Sequence, residues 1–471
     1  MTQDMLFRNA TDLVSDMAMG RLSAVDLMTA TLDRIERVNP SLTAVVALRN
    51  RADLLAEASA ADLVPASERG PLHGLPMAVK DLANVAGLPT SNGSRTASLE
   101  PVDNDDLLVC RMRAAGVIFT GKTNVPELGL GSHSFNEVYG TTRNPYDVNV
   151  SAGGSSGGAA VALATGMQTI ADGSDMMGSL RNPAAWNNVY GFRPTFGLVP
   201  NEPTKGPSPF NLSTLGPMAR SVKDIALLLA VQAGDAPAPS DGSGSLGQGT
   251  DMAGARIGWL GDWGGALPFE DGILGLCHNA LATLKGLGAD VVTLDPPFSR
   301  EAIWQSWTHL RAKACSLNYG PLVDDPATRD LIKQDAVWEV EFGRSLSDTD
   351  IETALDLQAQ WARTADEMFD RFDVLIMPTT QVWPFKQTLP YPPEIAGVQM
   401  DTYHRWMETV IPVSLIGLPS LNVPIGFGDN GLAMGMQMIG RAGSDRNTLA
   451  FGQAWHAATG WPNAHPPKIY L

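Results

Sequence analysis

The chain has 471 residues, 44% of them hydrophobic, with 47 glycines, which suits a large α/β core with many turns and leaves room for more than one domain. A net charge of −17 argues against nucleic acid and against an anionic membrane surface as partners. Cys110, Cys277 and Cys315 are scattered and odd in number, and the seven histidines show no metal-ligand spacing, so no disulfide framework, metal or cofactor is expected.

In chain order, Met1 to Ala10 is polar and acidic with no apolar signal segment behind it. No apolar run reaches the ~18 residues of a membrane span, so a cytoplasmic location is expected. Residues 1–65 read as helical. Ser23 with Asp26 resembles a capping box, and Val25, Met28, Leu32 and Ile35 repeat at helical spacing until Asn39-Pro40 stops them. From Pro71 to about Ala230, short apolar runs such as Val117-Ile118-Phe119-Thr120 alternate with helical stretches, the pattern of a layered α/β unit. Gly234 to Asp251 is rich in Gly, Ser, Asp and Pro and reads as a flexible surface loop.

Next come Ile257–Leu260, Ile273–Leu287 and Val291–Leu294, which look like a β–α–β unit. Arg300 to Phe372 reads mainly helical. Its Trp304, Trp307, Trp338 and Trp361 are core residues by default; the sharper expectation is a cap over a substrate entrance. Strands return at Val374–Met377 and Met434–Ile439, and a helix over Thr448–Thr459 closes the chain. The expected organisation is one domain over 1–471: a helical segment (1–65), a core carrying the chemistry (70–230), a loop and helical channel region (234–372), and the rest of the core (373–471).

The chemistry concentrates in Gly153-Gly154-Ser155-Ser156-Gly157-Gly158, in Gly173 to Arg181, and in an isolated Lys80. A flexible linker would not run straight into Ala159-Ala160-Val161-Ala162-Leu163-Ala164, which reads as a buried helix. A phosphate loop would need Lys-Ser/Thr where Ala159-Ala160 stand, and a dinucleotide fingerprint would need a better strand than Asn149-Val150-Ser151-Ala152. Gly153 to Gly157 also matches G-x-S-x-G, the nucleophile elbow, with His404, His456 or His465 as the base; that esterase-type alternative stays open.

The favoured reading needs no histidine. Serine is a weak nucleophile without a base in hydrogen-bond reach, and lysine is a base only when neutral. Lys80 ends Leu75-Pro76-Met77-Ala78-Val79, an apolar run where burial would lower its pKa from the usual ~10.4. A second serine can relay the proton, and the turn around Gly173–Ser179 can aim successive N–H groups at one point as an oxyanion hole.

On these residues the chain resembles the amidase signature family. The similarity takes in the glycine-serine run and Gly173-Ser174-Asp175-Met176-Met177-Gly178-Ser179-Leu180-Arg181-Asn182-Pro183-Ala184. It also takes in Gly74–Asp81, Gly191–Thr195, Gly216-Pro217, Asp373–Thr379, Gly417–Ser420 and Gly435–Gly440. The resemblance implies an α/β/α sandwich around a large mixed β-sheet with peripheral helices. It implies a Ser–Ser–Lys triad in which Ser179 is the nucleophile, Ser155 the bridging serine after a cis Gly154–Ser155 peptide, and Lys80 the base. Met176, Met177, Gly178 and Ser179 would supply the oxyanion-hole N–H groups, and Gly131 and Ser132 would line the substrate pocket.

The implied activity is hydrolysis of a linear carboxylic amide to an acid plus ammonia or an amine, through a seryl acyl-enzyme. The partner is a small-molecule amide, with a homodimer as a possible assembly. The alternative is the glutaminase subunit of a tRNA-dependent amidotransferase, which must hold the α-carboxylate of glutamine with a charged residue. Met176-Met177 departs from the small pair usual in relatives; the N–H groups survive that change if position 177 avoids positive φ. Asn187-Asn188 is a second departure with no chemistry attached.

Overall fold

The structure, a computed structural model, describes residues 5–200, 210, 212–234 and 252–468. The expected loop from residue 235 onward therefore lies outside the described residues. Three N-terminal helices, α1 (Ala10–Ala18), α2 (Ala24–Val38) and α3 (Arg51–Asp62), form the segment read as helical. Ser23 caps α2 by accepting the Asp26 N–H at 2.9 Å, and Met28, Leu32 and Ile35 are buried along its inner face. That segment also holds a two-residue strand, β1 (Val45–Val46), which reasoning from periodicity missed because two residues carry no period.

β1 joins a small sheet with β2 (Pro76–Lys80) and β3 (Ile118–Thr123), in the order β1-β3-β2. β2 and β3 run parallel and are buried on both faces, which is why they read as near-continuous apolar runs. The large sheet has eight strands: β4 (Ile170–Asp175), β5 (Tyr190–Arg193), β6 (Thr214–Ala219), β7 (Arg256–Trp259), β8 (Asp290–Thr293), β9 (Val374–Pro378), β10 (Ser420–Phe427) and β11 (Ala433–Ile439). Their order is β8-β7-β9-β11-β10-β5-β6-β4; β8, β7 and β9 are mutually parallel and the remaining pairs antiparallel.

Helices α4 (Gly157–Ala164), α5 (Arg181–Trp186) and α6 (Val222–Ala233) follow in the core. The β–α–β unit read from the sequence is β7, α7 (Ile273–Gly286) and β8. Downstream lie α8 (Arg300–Asp324), α9 (Gln334–Ser345), α10 (Asp348–Phe369) and α11 (Asp445–Thr459). Helices α4 and α5 pack on each other and on the sheet; α6 and α11 do likewise. The result is the expected α/β/α sandwich, with α8 to α10 as the mainly helical insertion. Among the described residues, no helix is long and apolar enough to cross a membrane.

The two sheets are joined by side chains that act as a strand would. The N–H of Ala78 donates to Gln168 Oε1 at 2.9 Å and the N–H of Lys80 donates to Asp172 Oδ1 at 3.0 Å. β4, the edge of the large sheet, and the turn just before it thus satisfy these donors of β2 and fix where Lys80 sits.

Candidate active site

Lys80 ends β2 with 1% of its surface exposed. Its Nζ lies 2.8 Å from Ser155 Oγ, 2.8 Å from Ser156 Oγ, 3.0 Å from Ser174 Oγ and 3.3 Å from the Ser174 carbonyl. Every one of these partners is neutral. Burial pulls the lysine pKa down to about 7, opposed by the charges of Asp172 and Asp175. At neutral pH a large share of Lys80 is therefore the free amine a base requires.

The glycine-serine run is a buried turn leading into α4. The Gly154–Ser155 peptide is cis. Ser132 Oγ donates to the Gly154 carbonyl, while Ser134 Oγ accepts the Gly157 N–H at 3.1 Å. Glycine is required where α4 begins: a Cβ at position 158 would lie 2.3 Å from the Asn124 N and 2.5 Å from the Ala44 O. The run reads like a linker by composition because its helix enters a space too narrow for any side chain.

The second turn, Asp175 to Ser179, is organised by one carboxylate. Asp175 accepts the N–H of Gly178 at 2.9 Å and of Leu180 at 3.2 Å. It also takes Arg181 Nε and Nη2, each at 2.9 Å, and Arg193 Nη1 at 3.3 Å. Burial opposes its ionisation, but Arg181 and Arg193 overcome this and hold the carboxyl well below the usual range. Positive φ falls on Gly178 (79°) and not on Met177, so the methionine pair fits the turn without left-handed backbone. The Ser156 N–H donates to the Ser179 carbonyl at 3.2 Å, tying the two turns together.

Ser155, Ser174, Met176, Met177 and Ser179 open onto one cavity of about 660 Å³. Gly129, Leu130 and Gly131 form a second wall, and Arg311, Cys315 and Tyr319 from α8 a third. Most of the residues named from the sequence converge here. Gly178 is not on the cavity wall, and its N–H is taken by Asp175; Met176, Met177 and Ser179 do line the cavity. Gly131 is on the wall, but Ser132 sits behind it, holding Gly154 and accepting Asn182 Nδ2 at 3.2 Å.

Reasoning from sequence missed Ser156 and Ser174 as partners of Lys80, although both lie inside the motifs it used. It also missed Asp172 and Arg311. The tryptophans do not cap the entrance: Trp307 and Trp361 are buried in the core, Trp304 packs against it, and none of the four lines the cavity. His404, His456 and His465 also lie off the cavity. His404 is buried with Nδ1 2.8 Å from Thr402 Oγ1, and His456 Nδ1 is 3.1 Å from the Tyr190 hydroxyl. The elbow alternative has no base at hand.

The family model for amidases matches residues 26–449. The chain belongs to the amidase signature family. As an amidase, it hydrolyses carbon–nitrogen bonds in amides. It is 30% identical to an acylamidase from Rhodococcus erythropolis over 98% of both chains. It is 32% identical to a glutamyl-tRNA(Gln) amidotransferase subunit of Lysinibacillus sphaericus (strain C3-41), over 96% of both. Among solved structures, a bacterial aryl acylamidase of this family superposes with a TM-score of 0.86 at 27% identity, covering 98% of this chain and 99% of that one. A 6-aminohexanoate cyclic dimer hydrolase complexed with substrate gives 0.85 at 25% identity, over 99% and 100%.

Proposed function

We propose that this amidase works through Ser179 as nucleophile, Ser155 as proton bridge and Lys80 as base. The observation that carries the reading is the buried Lys80 Nζ at 2.8 Å from Ser155 Oγ, with Ser155 and Ser179 opening onto the same cavity. Ser179 Oγ attacks the amide carbonyl; its proton passes to Ser155 Oγ, whose own proton moves to neutral Lys80. The N–H groups of Met176, Met177 and Ser179 receive the developing oxyanion, where each donor is typically worth ~10²–10³ in rate. The relay then returns a proton to the leaving amine, and water, activated the same way, releases the acid.

The substrate class we propose is an acyl or aryl amide of small to medium size, cleaved by the chain acting alone. Leu128, Met176, Met177, Phe210, Leu215 and Met407 give the cavity an apolar lining suited to such a group. The similarity to an acylamidase and an aryl acylamidase supports this choice. The identity to glutamyl-tRNA(Gln) amidotransferase chains supports the second reading, a glutaminase active in a complex. A panel of aliphatic, aryl and amino-acid amides, assayed by ammonia or amine release, decides between them. Turnover of acyl amides by the isolated chain supports the first; ammonia release from glutamine only with partner proteins present supports the second.

A further inference from the structure

Among the described residues lining the cavity, two carry a carboxyl or guanidinium side chain, Asp106 and Arg311. Arg311 sits on α8 with 3% of its surface exposed. Its Nε donates to Glu339 Oε1 at 2.6 Å, and its Nη2 donates to the Tyr403 hydroxyl at 2.8 Å. Tyr403 in turn donates to Glu339 Oε1 at 2.8 Å. Glu339 lies on α9 and is 1% exposed. The charge of Arg311 is therefore already matched by a buried carboxylate.

Two further groups surround the pair without changing that balance. His404 Nε2 is 3.7 Å from Glu339 Oε1, and burial pushes the imidazole down to about 3, so it stays neutral. Lys333 Nζ donates to the Leu130 carbonyl and lies 5.8 Å from the Tyr403 ring centre, with Glu127 and Asp335 near it. Lys333 is not on the cavity wall.

One edge of the guanidinium remains available. Nη1 faces Met176 Sδ at 3.2 Å, and a thioether is a weak acceptor that a better one displaces. Met176 belongs to the turn that carries Ser179, so this donor stands beside the nucleophile.

We infer that Arg311 is a specificity-determining residue that selects uncharged amides, donating through Nη1 to a neutral acceptor on the substrate while Glu339 cancels its charge. The inference rests on the amidase reading and narrows its substrate class. A carboxylate entering here meets a guanidinium whose positive charge the buried Glu339 already balances, so it gains little attraction in return for its own desolvation. A carbonyl, ether or amide oxygen accepts from Nη1 without the desolvation cost of a charge.

The test compares 5-oxohexanoyl-4-nitroanilide with glutaryl-4-nitroanilide, which end in the same carbonyl bearing a methyl in one and a charged oxygen in the other. It uses the full chain and its Glu339→Gln and Arg311→Gln variants. The wild type is expected to favour the 5-oxohexanoyl substrate in kcat/KM. Glu339→Gln keeps an acceptor for Arg311 but removes its counter-charge, and is expected to move the ratio ~10-fold or more toward the glutaryl substrate. Arg311→Gln is expected to raise KM for the 5-oxohexanoyl substrate more than it lowers kcat, with no gain for the glutaryl one.

Where turnover is too slow to measure, the two compounds are compared as protectants of the active-site serine against a fluorophosphonate. A wild-type preference for the glutaryl substrate, an unmoved ratio in Glu339→Gln, or unchanged KM values in Arg311→Gln would overturn the inference. If Glu339→Gln does not fold, the wild-type ratio and Arg311→Gln still decide. Absence of both hydrolysis and labelling in the wild type would instead remove the amidase reading, and this inference with it.

Discussion

Lys80 and Ser155 meet at 2.8 Å across the gap between the two sheets, the amine from the last residue of β2 and the hydroxyl from the turn before α4. Neither sheet alone could build this contact. The Asp172 carboxylate and the Gln168 amide, in and just before the edge strand of the large sheet, hold β2 at the distance the contact requires.

A base of this kind sets the pH dependence. In the proposed mechanism Lys80 acts when neutral, and its pKa is lowered to about 7, so kcat/KM is expected to rise as pH climbs through about 7 and level off above it. The unfolded chain binds this proton more tightly, at the ordinary value of 10.5. Folding stability from this group therefore rises with pH between about 7 and 10.5, by at most ~1.4 kcal/mol per unit. Urea denaturation at pH 7 and pH 9 checks it: wild type should gain on Lys80→Met as pH rises.

In the proposed mechanism Asp172 tunes that base. It lies on β4 facing Lys80, with Asp175 on the same strand, Lys122 on β3 and Asp81 just after β2 as the other charged groups nearby. Burial pushes the Asp172 carboxyl up to about 6 against the pull of Lys80 and Lys122. Its charge favours protonated Lys80, so Asp172→Asn, which keeps an acceptor for the Lys80 N–H, is expected to shift the acid limb of kcat/KM to lower pH. The plateau should change by less than ~10-fold. A limb that moves upward, or a collapsed plateau with no shift, would count against this role.

Asp175 is the most heavily committed acceptor of the site. Asp175→Asn leaves Arg181 and Arg193, both fully buried, without their counter-charge, and weakens the hold on Gly178 and Leu180. Breaking a buried pair from one side costs ~3–5 kcal/mol. Thermal and urea unfolding are expected to show a loss of that size, with activity falling as the Ser179 turn loosens. A loss below ~1 kcal/mol would show that the turn does not depend on this carboxylate.

Much of the site was legible because its residues announce unusual settings. Lys80 ends an apolar strand, and glycines flank Ser155 and Ser179 where no side chain fits, so type and context together pointed to chemistry. What escaped notice depends on pairings far apart in the chain. Arg311 looks like any helical surface arginine until the fold brings Glu339, 28 residues on, and Tyr403, 92 residues on, against it. Trp307 and Trp361 follow the default reading of core packing and not the cap: on α8 and α10 their face turns to the core while Arg311, Cys315 and Tyr319 face the cavity. Gly178 belonged to the right turn but its N–H direction depends on Asp175, which spacing alone does not reveal.

The most direct measurement is the site and rate of covalent labelling by a fluorophosphonate, located by peptide mass spectrometry in wild type, Ser179→Ala and Lys80→Met. The account predicts a single adduct on Ser179, none in Ser179→Ala, and labelling slowed by ~10² or more in Lys80→Met. An adduct on Ser155, or an undiminished labelling rate without Lys80, would contradict it.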